Sequence, residues 1–370
     1  MHLSYWEHKT WLSQIDFTIV GSGIVGLNTA LNLKKRFPKA KTLVLEKGFL
    51  PQGASTKNAG FACYGSISEI LSDLRTHSEE EVVQLIQKRW HGIRLLRKNL
   101  GDKAIDFQNF GGHEIFLKEQ RGHYQQCMEG MAYVNRLINP IFKQEAFRLH
   151  QNSFRFNGIM EQYISNPLES QIDTGKMMSS LLDVVQKNGI NILNTITVKE
   201  FQENGDHVLI NTDKFDLRTE HLLITTNGFA AQLMQEEVKP ARAQVLITRP
   251  IKNLRIKGTF HLDEGYYYFR NIDGRILFGG GRNLNFKTEE TTVFGTTGLV
   301  QNRLEELLGT VILPNTEYEI ESRWSGIMGM GHTKRPIIKR LSDRVFCGVR
   351  LGGMGIAIGS TIGKELADLV

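Results

Sequence analysis

Cysteine is scarce in this sequence of 370 residues, and the three that it contains, Cys63, Cys127 and Cys347, form no Cys-x-x-Cys pair. Such spacing excludes a disulfide framework and indicates a reducing compartment, so we expect a cytoplasmic protein. No apolar run approaches the roughly 20 residues that span a membrane. The polar residues within Trp6–Lys9 also interrupt any hydrophobic core that a signal peptide would need.

The sequence also lacks a block of charge of one sign. Its 45 Lys and Arg residues and 39 Asp and Glu residues give a net charge of +6, and the basic residues are scattered along the chain. Binding of nucleic acid requires a clustered basic surface, so we expect a small-molecule substrate and no nucleic-acid partner. The hydrophobic content of 41% is that of a globular protein, and the length suits two domains.

The segment Phe17–Glu46 has the pattern of a complete β-turn-α-β unit. An apolar run, Phe17–Val20, leads without a gap into Gly21-Ser22-Gly23-Ile24-Val25-Gly26, after which leucine and alanine recur at helical spacing. A second apolar run, Thr42–Leu45, ends at Glu46. Because the strands, glycines, helix and acidic residue fall in register, the segment predicts a dinucleotide-binding site rather than an isolated glycine turn.

The three glycines and the acidic residue each have a predicted role. Gly21 permits a tight turn, Gly23 lets the backbone approach a pyrophosphate, and Gly26 allows close packing of helix on strand. The helix N-terminus offers unpaired N–H groups and the positive end of its dipole to the phosphates. Glu46 stands twenty residues after Gly26, where a carboxylate can accept hydrogen bonds from the ribose hydroxyls.

Further apolar runs indicate that two kinds of sheet are interleaved along the chain. Runs typical of buried parallel strands lie at 17–20, 42–46, 192–198, 222–226 and 345–349. Runs typical of antiparallel strands lie between them, at 110–118, 154–164, 206–212, 242–249, 265–270 and 275–280. Helical periodicity predicts helices at about 78–100, 119–136, 173–188 and 297–308 and from Gly355 onward. The nucleotide-binding domain would therefore draw on both ends of the chain.

Five segments give the chain a resemblance to the FAD-dependent amine and amino-acid oxidoreductases typified by D-amino-acid oxidase, glycine oxidase and sarcosine oxidase. They are the fingerprint Gly21–Gly26, the loop Gly53–Gly60, the strand end Thr226–Gly228, the block Tyr266–Gly280 and the C-terminal Gly352–Ile356. The resemblance covers nearly the whole chain. It implies an α/β fold in which a Rossmann-like FAD-binding domain is interleaved with an α+β substrate domain built on an antiparallel sheet.

The resemblance also implies how the chain divides and which residues hold the cofactor. The expected FAD-binding domain comprises residues 1–76, 165–238 and 325–370, and the expected substrate domain comprises residues 77–164 and 239–324. We expect non-covalent FAD and no metal. The residues expected to bind FAD are Gly21, Ser22, Gly23, Ile24, Val25, Gly26, Glu46, Lys47, Ser55, Thr56, Lys57, Asn58, Ala59, Gly60, Val198, Thr226, Asn227, Gly228, Gly352, Gly353, Met354, Gly355 and Ile356.

The C-terminal glycine cluster carries a mechanistic prediction. If the last helix begins near Gly355, its N–H groups can face the N1–C2=O edge of the flavin. Hydride transfer to N5 leaves negative charge on that edge, so the helix dipole would favour the reduced ring.

The substrate site is predicted over the flavin face. The residues expected to bind the substrate are Tyr266, Tyr268, Arg282, Trp324 and Met328. Strand alternation would place Tyr266 and Tyr268 on one face. Met328 stands where relatives carry an arginine for a substrate carboxylate, and methionine cannot form that ion pair. Arg282 is a candidate substitute.

Two further features bear on the substrate and the electron acceptor. Lys334 and Arg335 are alternative substitutes for the missing cation. Leu277 stands where sarcosine-oxidase relatives carry a lysine above the flavin, which favours a dehydrogenase with an acceptor other than O2 over an efficient oxidase. No catalytic base is assigned, because hydride transfer from a neutral amine requires orientation and a dry site rather than proton abstraction.

We therefore predict an FAD-dependent oxidoreductase that oxidises a C–N bond of an amine or amino-acid-like substrate by hydride transfer to flavin N5. Two alternatives stay open at this point. The same scaffold supports oxidation of a 2-hydroxy acid, and a non-catalytic FAD-binding protein would carry the same cofactor motifs.

Overall fold

The computed structural model describes residues 3–370. Its strands are β1 Ile15–Val20, β2 Thr42–Leu45, β3 Phe61–Ala62, β4 Gly112–Glu114, β5 Arg148–Gln151, β6 Gln162–Asn166, β7 Ser170–Gln171, β8 Asn191–Leu193, β9 Val198–Asn204, β10 His207–Thr212, β11 Asp216–Ile224, β12 Lys239–Thr248, β13 Thr259–Leu262, β14 Tyr267–Ile272, β15 Arg275–Gly280, β16 Ile320–Met330, β17 Ile337–Arg340 and β18 Val345–Val349. Its helices of eight or more residues are α1 Ile24–Arg36, α2 Ile67–Leu74, α3 Glu79–Leu100, α4 Arg121–Phe142, α5 Thr174–Lys187, α6 Gly298–Leu307 and α7 Gly355–Asp368. No helix in this range is long and apolar enough to cross a membrane.

A mostly parallel sheet forms the first layer. Its order is β17-β18-β11-β1-β2-β8, in which β17 is antiparallel and the other five strands are parallel. The hairpin β9–β10 extends it through antiparallel pairing of β10 with β11. The strands β1 and β2 are almost wholly buried, as their continuous apolar runs predict. α1 and α7 pack against each other and share one core with this sheet.

The register of the parallel sheet aligns the carboxyl ends of its central strands. Val20 lies opposite both Leu45 and Ile224, and Ile224 lies opposite Cys347. The loops that follow β1, β2, β11 and β18 therefore open at one edge. Ligands of open α/β sheets bind at this edge.

A second sheet of eight strands has the order β16-β12-β15-β14-β13-β4-β6-β5. All its pairs are antiparallel except β13 with β4. Cross-strand partners point to the same face. One row of successive cross-strand partners runs across five strands and consists of His261, Tyr268, Gly279, Val245 and Trp324. This face turns toward the loops of the first sheet, because Tyr268 and Trp324 pack beside Ala59, Val245 and Leu277. The predicted mixed fold with parallel and antiparallel sheets is confirmed.

Several predicted element bounds are wrong. The expected parallel strand at 192–198 consists of the short β8 and the start of β9, which pairs antiparallel with β10. The break has a local cause, because Thr195 adopts a φ of 60° and its N–H donates to the Gly48 carbonyl, so the chain leaves the sheet. The predicted strands at 110–118 and 154–164 contract to β4 and β6. β16 was not predicted as a strand, and α4 runs past the predicted residue 136 to Phe142.

The chain alternates between the two sheets. β1, β2, β8–β11 and β17–β18 belong to the first, and β4–β6 and β12–β16 belong to the second. The expected domain boundaries at 165 and 325 fall inside β6 and β16, both in the second sheet. The division of the chain into the two predicted domains stays a prediction.

We predict that Gly92→Ala destabilises the protein by about 2–3 kcal/mol, because added atoms in a packed core force the backbone apart. α3 crosses α7 at this position, where a Cβ would lie 1.9 Å from the carbonyl oxygen of Ala357. Urea unfolding measures the change. Gly122→Ala is the matched control on α4, where a Cβ meets nothing within 4 Å. Equal stability of the two variants would contradict the helix contact.

Candidate cofactor and substrate site

The turn between β1 and α1 is built as the glycine pattern predicts. Gly21 has a φ of 104°, and its N–H donates to the Leu45 carbonyl at 2.8 Å. A Cβ on Gly26 would lie 2.0 Å from the Gly21 carbonyl oxygen, so helix and strand pack with no room for a side chain. A Cβ on Gly23, in contrast, meets only the side chain of Ser55. The backbone at Gly23 is therefore open to a ligand.

The Glu46 carboxylate is buried at the end of β2 and is already held by the surrounding backbone. One oxygen accepts the N–H and the hydroxyl of Ser22 at 2.9 and 2.7 Å, and the other accepts the N–H of Gly48 at 2.9 Å. Fixing the carboxylate in this way positions it beside the turn. Lys47, which follows it, is exposed.

The loop from Ser55 to Gly60 forms a second wall of the cleft. The Ser55 hydroxyl accepts the N–H of Ile24 at 3.0 Å and thereby ties this loop to the start of α1. The Asn58 side chain accepts the N–H of Gly60 at 2.8 Å and the hydroxyl of Thr174 at 2.9 Å. Thr56 donates to the Pro51 carbonyl. These internal bonds hold the loop in one shape before any ligand arrives.

The ends of β11 and β18 form the third wall. Asn227 accepts the N–H groups of Arg350 and Leu351 at 3.0 and 3.2 Å, which joins the two loops. A Cβ on Gly228 would lie 2.6 Å from the Met328 carbonyl oxygen, so this backbone also packs tightly against β16. α7 then begins at Gly355 with no side-chain cap.

Several residues predicted to bind FAD have apolar side chains that pack in the core. The side chains of Ile24, Val25 and Ile356 are buried in the core between α1, α7 and the sheet. The N–H of Ile24 already donates to Ser55, so of these three residues Val25 and Ile356 offer backbone N–H groups at a helix N-terminus. Val198 is buried in the core that includes Val20, Leu43 and Leu45.

The residues at this edge fit a dinucleotide. Two long helices, α1 and α7, begin here, and neither N-cap residue, Gly23 or Met354, makes a capping bond with its side chain. In α1, Ser55 accepts the N–H of Ile24 and the following N–H groups remain available. The Thr226 hydroxyl is buried here and has no hydrogen-bond partner within residues 3–370. Buried polar groups normally have partners, so an unpaired hydroxyl at the edge where two helices begin is consistent with a bound ligand.

An apolar wall faces this cleft from the second sheet. Leu277 and Val245 form a buried cluster with Ala59, and Tyr268 and Trp324 pack against it. The Trp324 indole N–H donates to the Lys57 carbonyl at 2.9 Å, so β16 is joined to the loop of Ser55 to Gly60. Tyr268, Trp324, Lys57 and Ala59, all predicted site residues, are therefore brought together.

The two predicted tyrosines do not share a strand face. β14 begins at Tyr267, and Tyr266 precedes it and packs beside the core that contains Tyr267. Strand alternation does not place Tyr266, because the strand begins one residue after it. The Arg282 guanidinium lies over the Tyr266 ring at 5.5 Å and the Phe286 ring at 5.1 Å. Burial raises the pKa of Tyr268 to about 12 although Arg282 acts against this shift, so the hydroxyl keeps its proton.

The other proposed cations have partners elsewhere. Lys334 pairs with Asp73 at 2.6 Å, and Arg335 pairs with Glu81. Met328 is half-buried, and a Cβ on Gly353 would lie 3.4 Å from its sulfur, so this side chain reaches the loop before α7.

A buried polar cluster adjoins the apolar wall. Phe61 packs edge-on against both Tyr268 and His261. His261 bonds to Glu169 at 2.6 Å. Burial alone would lower the pKa of His261, but the charge and hydrogen bond of Glu169, with smaller contributions from Glu69 and Glu114, raise it to about 9. The imidazole is therefore protonated at neutral pH.

This cluster also places Cys63, Glu169 and His261 with ligand atoms within 4.8 Å of one another. Burial, followed by the charge of Glu169, raises the pKa of the Cys63 thiol well above its ordinary value. A metal requires the thiolate and a neutral imidazole. The cluster is therefore better suited to hydrogen bonding than to a metal.

Comparison with known proteins gives consistent results. A family model described as FAD dependent oxidoreductase matches residues 16–369. Gamma-glutamylputrescine oxidoreductase of Escherichia coli (strain K12) is 20% identical over 381 residues, which cover 96% of this chain and 83% of that protein. Glycine oxidase from Geobacillus kaustophilus superposes with a TM-score of 0.77 at 18% identity, covering 96% of this chain and 94% of that one. L-proline dehydrogenase from P. horikoshii superposes with a TM-score of 0.75 at 17% identity, covering 96% and 93%.

We predict that Gly23→Val yields folded protein with little bound FAD. The valine side chain would lie beside the Ser55 hydroxyl at the start of α1, where a phosphate oxygen must approach the backbone. The ratio of flavin absorbance to protein absorbance measures the loss. Gly53→Ala is the control, since a Cβ there meets nothing within 4 Å. Full flavin content in Gly23→Val would show that the pyrophosphate lies elsewhere.

We also predict a pH-dependent effect of Glu114→Gln. Burial raises the pKa of Glu114 from 4.5 to about 7, although Ser68 donates hydrogen bonds to it. Because the folded value exceeds the unfolded one, this carboxyl costs stability as the pH rises from 4.5 through 7. The variant should therefore gain about 1–2 kcal/mol over the wild type at alkaline pH and little at acidic pH. Urea unfolding at both pH values tests this, and an equal difference at both would contradict it.

Proposed function

Because the chain belongs to the family of FAD-dependent oxidoreductases, we propose that it oxidises a C–N bond of an amine or amino-acid-like substrate. The observation that carries this proposal is the apolar wall of Leu277, Val245 and Ala59, with Tyr268 and Trp324 against it, directly beside the cofactor loop. Such a wall excludes water. Hydride transfer needs a dry and well-oriented site more than it needs a proton acceptor.

The cofactor would be held by the three loops at the carboxyl edge of the parallel sheet. The start of α1 would meet the pyrophosphate, and Glu46 would meet the ribose hydroxyls. When bound, FAD supplies the hydride acceptor. The start of α7 adds the positive end of a 14-residue helix with no side-chain cap, which stabilises negative charge close to its N-terminus. Non-covalent attachment and the domain division described above belong to the same proposal.

The substrate would lie between this cofactor site and the second sheet, near Tyr266, Tyr268, Trp324 and Met328. Arg282 would bind an anionic group on it. This guanidinium has no ion-pair partner within residues 3–370, is only partly buried, and lies over the Tyr266 ring. The names of similar proteins, a glycine oxidase and an oxidoreductase of gamma-glutamylputrescine, support an amine as the group oxidised.

The proposal needs no catalytic base. His261 is linked to the apolar wall through Phe61, and it carries a proton at neutral pH because its pKa is about 9. A protonated imidazole cannot accept a second proton. Orientation of a neutral amine by the wall and by the Tyr268 hydroxyl is sufficient for hydride transfer.

The electron acceptor and the compartment are part of the proposal. Leu277 is 5% exposed and offers no charge to a developing anion, which supports a dehydrogenase with an acceptor other than O2. Cys63, Cys127 and Cys347 are free thiols, which supports the cytoplasm.

Anaerobic mixing of the purified yellow protein with a panel of amines and 2-hydroxy acids tests the function. We expect an amine or amino acid to bleach the visible flavin band, and 2-hydroxy acids to leave it unchanged. Bleaching by a hydroxy acid alone would establish the rival reaction. A flavin that no compound of either class bleaches would indicate a non-catalytic FAD-binding protein.

The role of Arg282 has its own test. With a bleaching amino acid, Arg282→Met should raise the KM about 10- to 100-fold, as expected for loss of a charge-assisted hydrogen bond of about 1.5–3 kcal/mol. The FAD content should not change. Arg255→Met is the matched control, because Arg255 is exposed and lies outside the site. An unchanged KM in Arg282→Met would exclude this residue from substrate binding.

A further inference from the structure

Arg270 is a buried cation without a partner in the described part of the chain. Its residue is 2% exposed, and its side chain makes no hydrogen bond or ion pair within residues 3–370. The Nε atom in particular is buried and unpaired. Burial lowers the pKa of Arg270 to about 10, so the guanidinium is charged at neutral pH.

The acidic groups that face Arg270 do not neutralise it by contact. Asp173, Asp106 and Asp273 are the carboxylates whose charge acts on it, and none lies within ion-pair distance. Asp173 caps α5 through the N–H of Lys176, and Asp106 pairs with the Lys176 ammonium at 3.4 Å. The nearest carboxylates are thus engaged with other groups.

The guanidinium lies against the end of the cofactor loop. A Cβ on Gly60 would be 3.3 Å from the Arg270 Cζ atom. On β14, Arg270 follows Tyr268 by two residues and so projects from the same face. Leu277 on β15 is its cross-strand partner. Arg270 therefore belongs to the side of the second sheet that faces the cofactor loop.

Burying an unpaired charge costs several kcal/mol, which a fold tolerates when a partner compensates for it. A substrate binds and leaves, so it would expose the protein to that cost during each cycle. A tightly bound flavin stays in place, and its carbonyl oxygens and ring nitrogens can accept hydrogen bonds from a guanidinium in the oxidised state as well as in the reduced state. Arg282 is partly exposed and stacked on aromatic rings. Because it keeps contact with water, its charge is stable when no substrate is bound.

We propose that Arg270 is a flavin-binding residue that stabilises the negative charge that the isoalloxazine ring acquires when it is reduced. The inference rests on FAD binding and requires no particular substrate. It assigns different roles to the two arginines near the site that have no ion-pair partner within residues 3–370, with Arg270 acting on the cofactor and Arg282 acting on the substrate.

Sulfite is the probe that tests this role without any substrate. It adds through its sulfur lone pair to flavin N5 and leaves a negative charge on the ring. In Arg270→Met reconstituted with FAD, the sulfite dissociation constant should rise at least about tenfold. Arg270→Lys should retain most of the affinity, because it keeps a positive charge at the same place. Arg255→Met should match the wild type.

The controls separate this role from structural damage and from substrate binding. Thermal unfolding and FAD stoichiometry are measured for each variant, and Arg270→Gln, which also removes the charge, carries the test if Arg270→Met does not fold. A sulfite dissociation constant in folded, FAD-loaded Arg270→Met within about twofold of the wild type would overturn the proposal. Arg270→Met could instead weaken the binding of benzoate, which carries a carboxylate, and leave the binding of uncharged benzamide and of sulfite unchanged. That result would also overturn the proposal and would reassign Arg270 to a substrate carboxylate. Failure of every amine to bleach the flavin would leave the sulfite result interpretable.

Discussion

The close contact between α1 and β1 is the constraint on which the cofactor site depends. A Cβ on Gly26 would lie only 2.0 Å from the carbonyl oxygen of Gly21, so the helix packs directly against the end of the strand that precedes it. That contact directs the first turn of α1 at the carboxyl edge of the sheet. Glu46 then fixes the turn from the neighbouring strand by accepting the N–H and hydroxyl of Ser22. A larger residue at Gly26 would tilt the helix and misplace every N–H group that a phosphate needs.

In the proposed function, the second sheet supplies the substrate side of the site at this edge. The chain passes between the two sheets several times, and the loop from Ser55 to Gly60 bonds to α1 on one side and to β16 of the second sheet on the other. Ser55 holds it to α1, and the Lys57 carbonyl holds it to Trp324. An apolar wall is thereby fixed against the place where the cofactor loop ends. Interleaving is therefore the means by which a nucleotide fold acquires a dry face.

Local patterns in the sequence predict the nucleotide edge well and the second sheet poorly. The fingerprint residues act on neighbours within a few positions or on the adjacent strand, so their spacing carries their geometry. Val198 was assigned to the wrong kind of strand because the break at Thr195 depends on a bond to Gly48, which is far away from it in the chain. The predicted face of Tyr266 is not established, because this residue precedes the strand and alternation applies only within it. Whether Arg270 has a partner depends on all the elements packed around it, so the spacing of residues in the sequence does not predict that it has none within residues 3–370.

The different environments of Arg270 and Arg282 match how long the proposed partner of each arginine stays bound. Met328 and Leu277 are apolar where the resemblance predicts cations, yet the site contains two arginines without ion-pair partners among residues 3–370. A cation that keeps contact with water is stable without a bound partner, whereas a cation removed from water needs a compensating partner at all times. Partial exposure and aromatic stacking therefore suit Arg282 to a substrate that exchanges. The almost complete burial of Arg270 suits it to a cofactor that does not.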